Sequence, residues 1–273
     1  MHFRRAAAVL SLLTSVPICG ASAQGSKTFF RGSDIAWAGA FSVASYGVSR
    51  FDPKVTKYFQ QHTKQIDPTL RGFANVFTRI QETTLTLAGL ATYGVARLSH
   101  AHATSEVALH ATEAIVSTSL TSQLIRGPLG RARPKDAIPK FEDQYEFHWF
   151  EGFGNFAYRA FPSIHSASAF AAATSVVVEM RYRSPRSNAY VAPVAYLLAT
   201  GPAFARVYLG QHWASDVFMG AFMGTFYGSR IVEYAHQHPD NDADRFFLGK
   251  QARNGLSVVP QRGGVSISYG WRF

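Results

Sequence analysis

The chain has 273 residues, enough for one large domain with a substantial core. Its single cysteine is Cys19, so nothing downstream of it can form a disulfide or supply a cysteine nucleophile or metal ligand. A formal charge of +10 favours anionic partners, yet Lys and Arg are scattered without a basic block, which makes nucleic acid the least favoured of them.

Residues 1–23 read as a secretory signal. Arg4 and Arg5 form the basic start, Ala6 to Ile18 the apolar stretch, and Ala21-Ser22-Ala23 an A-x-A cleavage site. A membrane anchor would need a longer apolar span, and Ile18 before Cys19 is too large for a lipoprotein site. The expected destination is therefore the periplasm, with outer-membrane association left open by the C-terminal pattern described below.

Residues 24–245 carry helical patterns, expected near 33–48, 53–62, 82–99, 104–125, 164–182, 189–208 and 213–236. Asp52-Pro53 and Ser184-Pro185 supply starts and stops, because proline fits a first turn and breaks a helix interior. Mean hydropathy is −0.03, and polar residues or prolines interrupt each apolar run, which favours a soluble helical domain over a bundle of spanning helices. The row Gly220, Gly224, Gly228 predicts that two helix backbones approach closely inside the core.

Residues 127–160 form the longest irregular stretch, broken by Gly127, Pro128, Gly130, Pro134 and Pro139. A loop of that length is usually functional, and a lid or substrate wall is expected there. Residues 246–273 change period: Val265, Ile267, Tyr269, Trp271 and Phe273 alternate with small or polar residues after a Gly263-Gly264 turn. They read as a β-hairpin packed on the helical domain. A terminal Phe of this kind also resembles the last strand of an outer-membrane barrel, but one hairpin cannot close a barrel.

Three segments share one chemistry: Arg126-x6-Arg133-Pro134, Pro162-Ser163-Ile164-His165 and Arg206-x5-His212-x3-Asp216. Together they bring three guanidinium groups, two imidazoles, a hydroxyl and a carboxylate. That inventory can hold a tetrahedral oxyanion while one histidine attacks and another protonates the leaving group. Ser163 sits where it can cap the next helix, and a capped helix start offers N–H groups and a positive dipole end to a phosphate. His212 and Asp216 are four apart, so on a helix they share a face. An aspartate accepting the Nδ1 hydrogen would leave Nε2 as the nucleophile. The plainer readings are a capping serine and a structural His–Asp pair.

Over roughly residues 120–230 the three segments resemble the signature of the type 2 phosphatidic acid phosphatase superfamily. That superfamily includes class A acid phosphatases, glucose-6-phosphatase and the vanadium haloperoxidases. Three positions depart from it: Arg126 stands where lysine is usual, Ile164 where glycine is usual, and Ala205 where serine is frequent. Arginine keeps the charge as a planar fork. Ile164 keeps its N–H for phosphate, and its side chain is expected to narrow the approach.

The resemblance implies an all-α bundle of the acid phosphatase–haloperoxidase type. It also implies a metal-independent phosphatase without cofactor, acting on phosphomonoesters or lipid phosphates through a phosphohistidine. In that scheme His212 attacks, His165 is the acid and Asp216 orients His212. Arg126, Arg133, Arg206, Ser163 and the Ile164 N–H bind the phosphate, while Arg131 is left behind them or at the surface. The expected partner is a phosphorylated small molecule or a lipid phosphate, with peripheral contact to a membrane surface. Two alternatives stand beside this reading. One is a vanadate-dependent haloperoxidase, because vanadate would fill the same cage. The other is a non-catalytic outer-membrane-associated protein with a degenerate site.

Overall fold

A computed structural model describes residues 28–249 and the backbone of 255–261 and 264–270. The expected signal peptide lies outside the described residues. The helices are α1 (Gly32–Ser49), α2 (Asp52–Phe59), α3 (His62–Gln65), α4 (Pro68–Phe77), α5 (Glu82–Leu98), α6 (His102–Leu129), α7 (Ile164–Arg183), α8 (Pro185–Tyr208), α9 (Ala214–Gln237) and α10 (Asp242–Leu248). The architecture is all-α, as the resemblance implies.

The centre of the bundle is the α7–α9 pair, and small residues make it. A Cβ at Gly220 would lie 2.4 Å from the Ser163 carbonyl, at Gly224 2.1 Å from that of Ala167, and at Gly228 2.8 Å from that of Ala171. The glycine row therefore lays α9 directly on the α7 backbone, and any larger residue there would push the helices apart. This contact matters for the site, because it fixes the start of α7 against the start of α9. Around the pair, α6 adds Ala114 and Ile115 against Ala171 and Ile231, and α8 adds Ala199 and Ala203 against Phe170 and Ala221. Under α8, Ala74 of α4 packs on Ala205 and Tyr208.

Several boundaries differ from those expected. α6 runs to Leu129, past Gly127 and Pro128. Pro128 has no N–H to give to the preceding turn, and the helix ends one residue after it; the carbonyl of Pro128 accepts from Phe150 N–H at 2.8 Å instead of from a further helical turn. Gly130, at φ 58°, then ends the helix. α8 begins at Pro185 and not near 189. Among the described residues α3, α4 and α10 were not expected, although two of them carry start signals. Asp67 caps α4 by accepting from Thr69 and Leu70 N–H at 2.9 and 3.1 Å, with Pro68 in its first turn. Asn241 caps α10 through Asp244 N–H at 3.0 Å.

The irregular stretch between α6 and α7 covers one end of the bundle. Its anchor is Trp213, wholly buried against Ala132, Ala137 and Ala160, with its indole N–H donated to the Ala132 carbonyl at 2.9 Å. Truncating such a side chain to alanine would cost about 3–5 kcal/mol. At the C-terminus, β1 (Gly255–Gln261) pairs antiparallel with β2 (Gly264–Gly270), with Val258 opposite Ile267. The side chains that would decide whether this pair packs on the helices lie outside the described residues.

Candidate active site

The start of α7, the start of α9 and the end of α6 meet beneath the 130–163 loop. Ser163 is the N-cap of α7, with Oγ accepting from Ser166 N–H at 3.5 Å. Its own N–H donates to the Asp216 carbonyl at 3.0 Å, which ties the second motif to the third. His165 follows in the first turn. The segment 131–133 is pinned on both sides: Ala132 N–H reaches the Glu146 carbonyl and Arg133 N–H that of Ala157, both at 2.9 Å.

The expected phosphate-binding arginines gather here. Arg126, Arg133 and Arg206 are all buried, and each guanidinium is pushed down from its ordinary value, first by burial and then by a neighbouring arginine. Arg126 falls to about 9, and Arg133 and Arg206 to about 10. Among the described residues none of the three forms a salt bridge, and the Nε atoms of Arg126 and Arg206 have no hydrogen-bond partner. Arg133 is better held. Its Nε donates to the Phe156 carbonyl at 2.8 Å, its Nη1 to Gln211 Oε1 at 2.6 Å, and its plane lies 3.8 Å over the Phe156 ring. Buried, unpaired like charges are costly. An oxyanion placed among them would supply both the missing acceptors and the missing charge.

The two histidines share this field. His212 is 1 % exposed, and burial, then Arg133 and Arg206, push its imidazole well below the ordinary value. His165 is likewise pushed far down by burial, then by Arg206, His212, Arg133 and Arg126. Both rings are therefore held toward the neutral form at ordinary pH.

The Nδ1 of His212 differs from expectation. It lies 2.6 Å from the Ala160 carbonyl and 3.7 Å from Asp216 Oδ2. His212 precedes α9 instead of sharing a helical face with Asp216, so the spacing of four does not bring the two into hydrogen-bonding contact. Asp216 is occupied elsewhere: Oδ2 accepts from Trp213 N–H at 2.7 Å, and Oδ1 pairs with Arg131. The consequence for His212 is unchanged. A carbonyl only accepts, so Nδ1 carries the hydrogen and Nε2 keeps the lone pair.

Arg131, left between a place behind the phosphate-binding arginines and the surface, lies behind them. It is buried and bonded on every side: to Asp216, to Asp52 at 2.9 Å, to Ser215 Oγ at 2.8 Å and to the Gln144 carbonyl at 2.7 and 2.9 Å. Asp52 in turn accepts from Ser215 N–H at 2.9 Å. Burial raises Asp52 to about 6 and pushes Asp216 up as well, while Arg131 pulls both back toward the carboxylate. Two residues were missed. Gln211 Oε1 bridges Arg133 and Arg206, at 2.6 and 3.4 Å. Arg159 adds a fourth positive charge beside Arg126, and its Nε is also unpartnered. Gln211 stands next to His212 and Arg159 just before Pro162-Ser163, so proximity to the motifs was the only signal either carried.

Ile164 is 4 % exposed, so its side chain lies in the interior and not at the rim where it was expected. The loop between α6 and α7 supplies Arg133 and Arg159.

Comparison with known proteins places these residues in context. Residues 107–239 match the family described as PAP2 superfamily. Over 72 residues the chain is 38 % identical to a lipid A 1-phosphatase of Porphyromonas gingivalis, a stretch that covers 26 % of this chain and 15 % of that protein. A transmembrane PAP2-type phosphatidylglycerolphosphate phosphatase of Bacillus subtilis aligns over 71 % of this chain and 96 % of its own, at 16 % identity and a TM-score of 0.38.

Proposed function

Because residues 107–239 belong to the PAP2 superfamily, we propose that this protein is a phosphatase that cleaves the phosphate ester of a lipid through a phosphohistidine. The observation that carries the reading is the buried arginine cage with unpaired Nε donors around two neutral imidazoles. The similarity to a lipid A 1-phosphatase favours a lipid phosphate over a soluble phosphomonoester, although it covers only a small part of that protein.

In this reading the phosphoryl oxygens take hydrogen bonds from Arg126, Arg133, Arg206 and the Ile164 N–H, with the Ser163 hydroxyl beside them. The His212 Nε2 lone pair attacks phosphorus, and the bond to the ester oxygen breaks. That oxygen takes a proton from His165. Water then attacks the phosphohistidine, giving its proton to His165, and orthophosphate leaves with His212 restored. The charge that develops on His212 is balanced by Asp216, held 3.7 Å from Nδ1 by Arg131 and the Trp213 N–H.

His165 can act as an acid only if it is protonated, whereas burial first, and then the arginines, drive it neutral. A phosphate dianion among the arginines offsets their share of that lowering, so substrate binding moves His165 toward its acid form. Arginines supply the electrostatic stabilisation here, so the reaction runs without a divalent ion. The protein is exported, on this reading, and works at a membrane surface of the cell envelope.

The test is release of orthophosphate from lipid A, phosphatidic acid and phosphatidylglycerolphosphate against soluble phosphomonoesters, with chelator and with vanadate. Chelator-insensitive, vanadate-inhibited turnover of a lipid phosphate is the expected result. Activity that disappears with chelator and returns with a divalent ion would overturn the mechanism.

A further inference from the structure

Beside the cage, and behind Arg131, a cavity of about 630 Å³ lies between α1, α6 and α9. Its walls are apolar for most of their area, with Ala38, Ile125, Leu129, Met219, Met223 and Phe226 among them. The cavity has a long axis. α1 and α9 run antiparallel, joined by Asp34 to Arg230 at one end and by Ser45 Oγ to the Ser215 carbonyl at the other. From Ser215 to Tyr227, the α9 wall extends about 18 Å at ~1.5 Å per residue. The Thr121 and Tyr227 hydroxyls, 2.7 Å apart, cap the far end.

The near end is polar and cationic. Ser49 Oγ and Tyr145 OH lie 2.9 Å apart, and the Tyr46 and Tyr145 rings stack over 6.3 Å. Arg50 is exposed, and the neighbouring Tyr46 and Tyr145 raise its guanidinium above the ordinary value. Arg131 also borders this end, but Asp52 and Asp216 neutralise it, so Arg50 supplies the free charge. Next to this mouth the loop turns aromatic side chains to solvent. Phe147 and Trp149 line the cavity and stack on each other, and Trp149 is 65 % exposed. Phe150, Phe153 and Phe156 continue the exposed row.

An apolar groove with a cationic mouth and an aromatic rim is amphipathic along its length. Aromatic side chains of this kind suit the boundary between water and hydrocarbon, and so large a contiguous apolar surface is otherwise costly to expose. We propose that the groove holds one hydrocarbon chain of an anionic lipid, with its head group at Arg50 and the 147–156 loop lying in the bilayer interface. The described helices are not long and apolar enough to cross a membrane, so this groove and loop would hold the protein on the bilayer from one side. The proposal does not depend on catalysis in the cage, because the groove is walled off from His212 by the Arg131–Asp216 pair.

The experiment uses the full chain carrying Trp37→Phe and Trp271→Phe. Trp149 then reports against the constant background of wholly buried Trp213. It is mixed with vesicles of phosphatidylcholine and phosphatidylglycerol whose acyl chains carry bromine, a contact quencher. Trp149 emission is expected to fall at least twofold. Filling the groove with Ala38→Phe and Ser42→Phe should weaken vesicle binding at least tenfold, with circular dichroism and turnover of a soluble phosphomonoester unchanged. Ser42→Phe alone serves if the double variant does not fold. Arg50→Glu should abolish the preference for phosphatidylglycerol vesicles over pure phosphatidylcholine. Unquenched Trp149 would overturn the proposal, and so would binding that survives the filled groove. A dimer that the filled variant disperses would assign the groove to a second copy of the chain, and that too would overturn the proposal.

Discussion

Two regions of this bundle bury histidine, and they treat it in opposite ways. His212 and His165 lie among arginines, and burial together with those like charges drives them neutral. His110 of α6 lies among carboxylates. Its Nδ1 is 2.5 Å from Glu179 and its Nε2 3.1 Å from Asp244, while Glu179 also accepts from Arg183 at 2.9 Å and meets His236 at 3.1 Å. Burial alone would lower His110, but the bonds to Asp244 and Glu179 outweigh it and raise the imidazole to about 9. The carboxylate network joins α6, α7, α9 and α10 with its hydrogen bonds satisfied, so it holds the fold. The arginine cage is left with unpaired donors, and this is the ground on which it, and not the carboxylate network, is proposed as the phosphate site.

The widest separation between the two regions should appear in turnover. His212→Ala is expected to reduce phosphate release to the buffer rate for every substrate, and an alkaline denaturing quench of radiolabelled reactions, which preserves phosphohistidine, should trap phosphoprotein in the native chain and none in the variant. His110→Ala removes the counter-charge of Glu179 and Asp244 and should cost about 3–5 kcal/mol of stability. The molecules that remain folded should keep their kcat. Full activity in folded His212→Ala would break the comparison at its base.

A second separation lies between arginines. Arg206→Ala should lower kcat/KM by about 10²–10³ through loss of a transition-state contact. It should leave the melting temperature level or higher, because it relieves like-charge repulsion. Arg131→Ala should act chiefly on the fold: it leaves Asp52 and Asp216 buried and unpaired, and the expected loss is about 3–5 kcal/mol of stability. Chemical denaturation of both variants beside their kinetics checks the pair. Arg206→Ala unfolding as readily as Arg131→Ala would show that the cage is structural.

That contrast also shows where sequence reading stops. The long helices and the three motifs are local patterns, periodicity and short spacing, and they are legible in one chain. The glycine row on α9 announced close packing, and the start of α7 delivers it. Arg131 and Arg133 are alike in sequence, two apart in one motif, yet one is neutralised by Asp52 and Asp216 and the other faces the cage. Only the fold assigns those carboxylates, because they come from α2 and α9. The Ala160 carbonyl that orients His212 is a backbone atom, which no residue type reveals. Spacing suggested Asp216 for that role, and the helix starts two residues too late to allow it. Ile164 is buried, and which way a residue in the first turn of α7 faces depends on what packs on that helix, which a single motif cannot convey.

A third test separates the regions by pH. The folded His110 has its affinity for protons raised above the ordinary value of 6.5, so its stabilising contribution is complete below pH 6.5 and disappears as pH rises through about 9. The difference in unfolding free energy between the native chain and His110→Gln should therefore shrink from pH 6.5 to pH 9. Glu113, raised to about 7 by burial and held down by His110, titrates in the same range and responds to the substitution, so the comparison is made with Glu113→Gln in both proteins. A difference constant across the range would show that His110 is neutral in its network.

The smallest effect is the mirror image of the last, and it bears most directly on catalysis. His165 and His212 have their folded values pushed below 6.5, so below that pH the unfolded chain binds protons that the folded cage refuses. The cage should lose stability as pH falls from about 6.5, by at most about 1.4 kcal/mol per pH unit for each histidine. Orthophosphate bound among the arginines cancels part of their field and lets His165 take its proton. The slope should then flatten in saturating phosphate, and the His165 imidazole signal in a nuclear magnetic resonance titration should move to higher pKa. His165→Gln should remove the His165 share of the slope, and what phosphate still changes is then the share of His212, which the same arginines lower. A His165 resonance indifferent to phosphate would separate this imidazole from the anion. Its role as the acid that loads on substrate binding would then fail, even if the arginines hold the phosphoryl group as proposed.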